Sequence, residues 1–414
     1  MESSVFYKVK QHGFLGTAKV AFNIIGGGID RMAYNILCAL PIDDRLIIFE
    51  SQGDFCDNTK ALFLEMQEKG YFEKYKAVWL VHHPENFTDI KYPNTEFINY
   101  SDHICLKRMY YFARCKYCIS SHYDVLSAYR KRKDRIELHT THGMPVKGAK
   151  GDTLEHHDNL DMILATGDFY APLQVKWFGC PLSKARITGL PRNDCFFKPD
   201  LKTTKEYALY LKLDEYRKVI LWMPTFRQSE AKALNEDNGT CKLGLPIINQ
   251  EEDLEKLNTL LKDINCLILL KVHRLQQDMP VFQKKFSNIL IIKNEDLDEH
   301  NVELYEFVKQ ADALITDYSS ISVDFLLLDR PLIYTLDDYD AYVKSRGLAY
   351  EDTKSTFKGY HVYNLQDLCD AIKEITEGKD IYKEDREKWI PIAHKYVDGN
   401  AGERVIKLLK LDLS

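Results

Sequence analysis

The sequence predicts an α/β protein of two domains, each a parallel sheet with helices on both faces. Three observations lead there. The chain has 414 residues, too many for one typical core and enough for two domains of roughly 200 residues each. From residue 45 onward, short apolar runs alternate with helical patterns across short polar turns, the signature of a parallel sheet covered on both sides. Several of the loops that follow these runs carry histidine, arginine, aspartate or serine. That is the edge at which an open parallel sheet binds its ligands.

Taken in order, residues 1–40 form an amphipathic, membrane-proximal segment, mildly basic and broken at Gly26, Gly27 and Gly28. Phe14, Leu15, Ala18, Phe22 and Ile25 recur at helical spacing, so one helix face is predicted, packed on its own domain or resting in a lipid interface. The first domain, 41–200, opens with a buried strand over 45–50, a polar loop over 51–58 and a helix over 59–69. Its further strands are predicted over 77–81, 117–120, 136–140, 162–165 and 186–188. A polar connection near 197–205 leads to the second domain, 201–365, with strands over 219–223, 266–271, 289–292, 313–316 and 332–335. Its insert over 230–246 has few apolar residues and reads as a surface loop. The tail, 366–414, reads as helices that can cross back onto the first domain.

Composition excludes several classes. With 45% hydrophobic and 29% charged residues and a net charge of -6, the chain is ordinary for a soluble globular protein and lacks a global nucleic-acid signature. The ten cysteines are scattered, and the one CxxC, Cys115 with Cys118, has no second pair, so structural thiols in a reducing compartment are expected rather than a metal site. No leader peptide and no membrane span are expected, which points to a cytoplasmic protein that can still lie against a membrane. The run Tyr129-Arg130-Lys131-Arg132-Lys133-Asp134-Arg135 is locally basic. A solvated turn is its ordinary reading, and an anionic membrane surface or polyanionic acceptor the second.

The stretch 311–334 organises the rest: an apolar strand, the loop Asp317-Tyr318-Ser319-Ser320, an apolar helix and a second strand. A loop that closes a strand and opens a helix offers backbone N–H groups and the positive end of the helix dipole, and two serines add hydroxyls, so a phosphate seat is one reading. Simple helix capping by serine is the other. After 136–140 comes Thr141-His142-Gly143-Met144-Pro145-Val146-Lys147. Here an imidazole can accept a proton, the glycine admits close backbone approach, and Lys147 adds charge; a histidine capping a turn is the alternative. Arg192, Asn193 and Asp194 follow 186–188, Thr225 and Arg227 follow 219–223, and His273 and Arg274 follow 266–271. Together these loops describe a cleft for a diphosphate. Glu303 starts a helix at 302–311, where it can hold ribose hydroxyls or simply favour the helix dipole.

At these residues the sequence resembles the CDP-glycerol glycerophosphotransferase family, enzymes that prime and polymerise teichoic acids and related capsule polymers. The matching pieces are IIFESQGDFCDNTKAL, THGMPVK, TGLPRND, MPTFR, LLKVHR, ITDYSSISVDFLLLDRPLIY and DGNAGERVIKLL, in the family's order from about residue 45 to 409. The resemblance implies a GT-B-like pair of Rossmann-type domains, parallel sheets facing a central cleft that holds the active site. It implies His142 as general base, and His273, Arg227, Ser319 and Ser320 as groups around the donor's diphosphate. The strand-end loops themselves add His273 as a second catalytic candidate, Thr225, Arg274, Glu303 and Asp317 on the donor side, and Gly143, Lys147, Arg192, Asn193 and Asp194 on the acceptor side. Arg274 departs from the proline that often follows this histidine in the family.

The expected reaction moves glycerol phosphate or ribitol phosphate from CDP-glycerol or CDP-ribitol to a hydroxyl of a lipid-linked or polymeric acceptor, releasing CMP. His142 takes the acceptor's proton while cations and the serine loop neutralise the departing phosphate. No DxD-like carboxylate pair stands in a convincing position, so no obligatory metal or other cofactor is expected. The enzyme is expected on the inner face of the cell membrane, without nucleic-acid partners; a homo-oligomer is compatible with the sequence. The rivals are a GT-B glycosyltransferase using a nucleotide sugar, and a non-catalytic module that binds polymer or nucleotide.

Overall fold

The computed structural model describes residues 25–51, 53–100, 104–122, 125–148, 159–225, 243–272, 276–277 and 279–413. The N-terminal face predicted around residues 14–22, most of the insert at 230–246, and Arg227, His273 and Arg274 lie outside them. The described residues divide into two compact units: 25–142, 159–164 and 402–413 in one, 143–148 and 165–401 in the other.

The first sheet has seven strands: β1 Asp43–Glu50, β2 Lys76–Val81, β3 Thr95–Asn99, β4 Cys115–Ser120, β5 Ile136–His139, β6 Met162–Ala165 and β7 Ala185–Ile187. Their order is β3-β2-β1-β4-β5-β6-β7, with β3 through β6 paired in parallel. The six-stranded sheet comprises β8 Lys218–Trp222, β9 Cys266–Leu270, β10 Ile289–Ile291, β11 Ala313–Thr316, β12 Leu332–Thr335 and β13 Tyr360–Val362. It runs β10-β9-β8-β11-β12-β13, again in parallel. Both orders are the doubly wound Rossmann arrangement, whose direction of winding reverses beside the first strand.

The central strands read as unbroken apolar runs because helices bury both faces. CLILL of β9 is buried throughout. Against this sheet packs the helix Leu365–Thr376, whose buried Leu368, Ala371, Ile372 and Ile375 recur at helical spacing. Asn364 caps it by accepting the Asp367 N–H at 3.0 Å. In the first unit Phe49, Phe63, Phe72 and Trp79 form a stacked and edge-to-face aromatic cluster between β1, β2 and the helix Asp57–Glu68.

Three expectations are corrected. A helix occupies 25–37 straight through Gly26, Gly27 and Gly28, where a break was expected. Tertiary anchoring offsets the weak propensity of glycine: Asp30 pairs with buried Arg108 at 3.0 Å, and the Tyr34 hydroxyl donates to the Arg130 carbonyl at 2.6 Å. The helix expected at 302–311 is only Leu304–Val308. The run at 129–135 is not simply a solvated turn, since Arg135 is fully buried against Glu137, Arg132 donates to the Leu40 and Ala113 carbonyls, and Lys131 pairs with Asp161.

Candidate active site

In the first unit, β1, β4 and β5 end level: Glu50 is in register with Ser120, and Ser120 with His139. The winding reverses between β1 and β4, so their carboxyl ends border the crevice where such sheets take ligands. Buried Glu50 accepts the N–H groups of Ser121 and His122, both at 3.3 Å, and so fixes the segment leaving β4. Beyond β5, Thr140 and Thr141 are buried and His142 is exposed. The rings of His122 and His142 meet edge to face, 5.7 Å between centroids. Burial lowers the proton affinity of His122, the His142 ring lowers it further, and Asp57 opposes the shift. Half-buried His122 therefore favours its neutral form.

In the second unit the equivalent reversal lies between β8 and β11. The loops leaving these strands are joined by Asp317, fully buried, whose carboxylate accepts the Thr225 N–H at 2.9 Å and the Thr225 hydroxyl at 2.5 Å. Ser319 and Ser320 come next, partly exposed, and lead into the short helix Ile321–Phe325. Ser320 makes no side-chain capping bond to that helix, so capping does not account for it. Gly143, at φ +148°, lies against this loop: a Cβ there would stand 2.5 Å from Ser320 Oγ and 3.5 Å from Arg192 Nη2. Only glycine permits that approach.

Arg192 and Asn193 are brought together on one carboxylate. Asp324, fully buried, accepts Arg192 Nη2, Asn193 Nδ2 and the Tyr305 hydroxyl, each at 2.7 Å. The Arg192 guanidinium also lies over the Tyr305 ring, 4.3 Å from its centroid. Both predicted acceptor residues are thus tied to the helix that succeeds the serine pair. Asp194, also buried, accepts the Ala401 N–H at 2.9 Å. Lys147 pairs through its backbone with Leu348, and exposed Glu303 precedes the helix Leu304–Val308.

Four residues escaped the sequence reading. His122 lies just past β4 as His142 lies just past β5, and the strand-end reasoning that found His142 points to it once applied to β4. Asp324 is an acid inside the apolar run SVDFLLL, a signal that it is buried and paired. Lys271, at the end of β9, is buried with its proton affinity lowered by burial, and donates to Asn294. Asn58 is fully buried although it stands among polar residues, and nothing local marks it. Among the described residues, no group of three or more His, Cys, Asp or Glu is placed to hold a metal ion.

Residues 32–411 match the family described as CDP-Glycerol:Poly(glycerophosphate) glycerophosphotransferase. The chain belongs to this family. This glycerophosphotransferase-like enzyme is 26% identical over 376 residues to the teichoic acid poly(glycerol phosphate) polymerase of Bacillus spizizenii, covering 85% of this chain and 89% of that one. To the teichoic acid poly(ribitol-phosphate) polymerase of the same species it is 25% identical over 394 residues, covering 91% of this chain and 58% of the relative. Among solved structures, the wall teichoic acid polymerase TagF superposes with a TM-score of 0.75 at 20% identity, covering 99% of this chain and 98% of that one. That likeness shows the fold, a GT-B-like pair of parallel-sheet domains.

Proposed function

We propose that the enzyme transfers glycerol phosphate or ribitol phosphate from a CDP-alditol to a hydroxyl of a teichoic-acid-like or capsular polymer, releasing CMP. The observation that carries this reading is exposed His142, set on a buried turn beside His122 in a member of this family. The acceptor hydroxyl gives its proton to His142 as its oxygen bonds to the phosphorus that bears the alditol. The bond from that phosphorus to the bridging oxygen breaks, and CMP leaves with the electron pair. Ser319, Ser320 and the adjacent backbone N–H groups, with Arg227, His273 and Arg274, meet the charge that develops on the diphosphate. Thr225 and Asp317 shape the donor loop and Glu303 holds ribose hydroxyls. Lys147 is the acceptor-side cation, while Gly143, Arg192, Asn193 and Asp194 support the loops around it. These donors make a metal unnecessary in this reading, and turnover is expected to survive EDTA.

The test is CMP release from CDP-glycerol and, separately, CDP-ribitol, with a short polyol-phosphate lipid as acceptor. Acceptor-dependent release with one donor, reduced at least about 100-fold in His142→Ala, is expected. Release of UDP from a UDP-sugar, with neither CDP-alditol active, would overturn the proposal in favour of a sugar transferase. Donor binding without any turnover would favour the binding module.

The same proposal puts the enzyme on the inner face of the cell membrane as a peripheral protein. Among the described residues no helix is long and apolar enough to cross a membrane. The helix over 25–37 instead leaves Ile25, Met32 and Ile36 between 60% and 66% exposed, an apolar stripe suited to a lipid interface.

A further inference from the structure

The histidine at the end of β5 does not stand on a relaxed turn. Thr141, the residue before it, has φ +57°. A β-branched side chain is ordinarily excluded from this left-handed region, because its Cβ crowds the backbone. Left to itself, the turn would move away from this conformation and carry His142 with it.

What holds it comes from a distant part of the chain. Asn58, near the start of the helix Asp57–Glu68, is fully buried, and its Nδ2 donates to the Thr141 carbonyl at 2.8 Å. The next residue repeats the contact: the Thr59 and Thr140 hydroxyls share a hydrogen bond of 3.1 Å, and Thr140 Oγ1 lies 3.1 Å from the Ser120 carbonyl, to which it donates. On the other side, the Thr141 N–H donates to His139 Nδ1 at 3.1 Å. The carbonyl that Asn58 holds belongs to the peptide unit joining Thr141 to His142. That bond therefore sets the plane from which the His142 side chain departs, beside the His122 ring.

We infer that Asn58 is a positioning residue for His142, acting through the Thr141 carbonyl. The inference rests on the proposed role of His142 as base. Asn58 supplies no proton and takes none. Its amide donor is the required feature, because an aspartate of the same shape would turn a carboxylate oxygen toward the carbonyl.

The test uses the full chain with Asn58→Asp and Asn58→Ala, folding being checked by thermal unfolding. CMP release is measured with whichever CDP-alditol supports it, and the His142 ring protons are followed by NMR, assigned by their loss in His142→Ala. Both variants are expected to lower kcat at least about tenfold, with the donor KM within about twofold, because misplacement of a reacting group by about an ångström carries such losses. The His142 resonances are expected to shift as the ring leaves its edge-to-face contact. Adding Thr141→Gly to Asn58→Ala removes the penalty on positive φ and is expected to restore part of both signals. In a His142→Ala background, Asn58→Ala is expected to cost nothing more.

Unchanged kcat and unchanged resonances in Asn58→Ala would overturn the inference. So would an equal loss whether or not His142 is present, since that is the mark of a purely structural residue. Should Asn58→Ala fail to fold, Asn58→Asp and the Thr141→Gly double variant carry the same readouts. If His142→Ala itself turns over normally, the base assignment falls, and the positioning claim is then judged by the resonances and their rescue alone.

Discussion

Asp324 shows how much a single residue organises here. Three side chains from two separate segments, Arg192, Asn193 and Tyr305, converge on its buried carboxylate. Removing it leaves a nearly buried guanidinium without that partner, and breaking such a pair typically costs about 3–5 kcal/mol. Asp324→Ala is accordingly expected to lose at least about 3 kcal/mol in urea unfolding, whereas Arg192→Met in the same background should recover part of it. Gly143 presents a steric version of the same dependence. Gly143→Ala places a methyl 2.5 Å from Ser320 Oγ at a backbone angle that disfavours any side chain. Turnover is expected to fall at least about tenfold, as for other displacements of this size, and Ser320→Gly should restore it only in part, because the φ strain remains and the proposed hydroxyl donor of Ser320 is lost with the clash. The sequence named Gly143, Arg192 and Ser320 separately; that they meet is a property of the fold.

At the scale of elements, the buried bond between Thr225 and Asp317 joins the loops leaving β8 and β11. Thr225→Val keeps the shape and removes the hydroxyl donor to a buried carboxylate. The expected result is a raised donor KM with a smaller change in kcat, read from CMP release at varied donor concentration. The legible strands include all the central ones, whose apolar runs reflect burial on both faces, and the edge strands β7 and β10. β3 and β13 were not legible. Both stand at sheet edges, and TEFIN of β3 has only one buried residue, so no apolar run marks it. The helix over 25–37 went unseen for the opposite reason. Its three glycines signal a break locally, and the contacts that override them, through Asp30 and Tyr34, come from segments about 75 to 100 residues away.

For the whole molecule, pH exposes the buried histidines. His394 is almost fully buried, with Nε2 2.7 Å from the Val323 carbonyl, and burial pushes its proton affinity down. His122 and His361 are shifted the same way, again chiefly by burial. An imidazole in the unfolded chain titrates near 6.5. Below that pH the unfolded state takes up protons that the folded state refuses, so stability is complete above about 6.5 and falls as the pH drops, by up to about 1.4 kcal/mol per pH unit for buried His394. The unfolding midpoint is expected to fall between pH 7 and pH 5, and His394→Gln, which keeps a donor for Val323, should flatten that slope. Membrane attachment makes a separate prediction. Met32→Glu with Ile36→Glu is expected to reduce co-sedimentation with anionic vesicles; unchanged pelleting would sink the proposed role of the exposed stripe.

The sequence alone determined the class of fold, the positions of its central strands along the chain and the reactive loops at their ends, because burial on both faces and strand-end chemistry are written locally in residue type and spacing. Only the tertiary structure decided which of those residues display their side chains and which are locked beneath them. Arg192 and Asn193 spend hydrogen bonds on Asp324, Thr225 spends its own on Asp317, and Asn58 holds the peptide before His142. Each of these contacts joins positions about 80 to 130 residues apart. No local pattern encodes such pairs, since they exist only once the strands lie side by side.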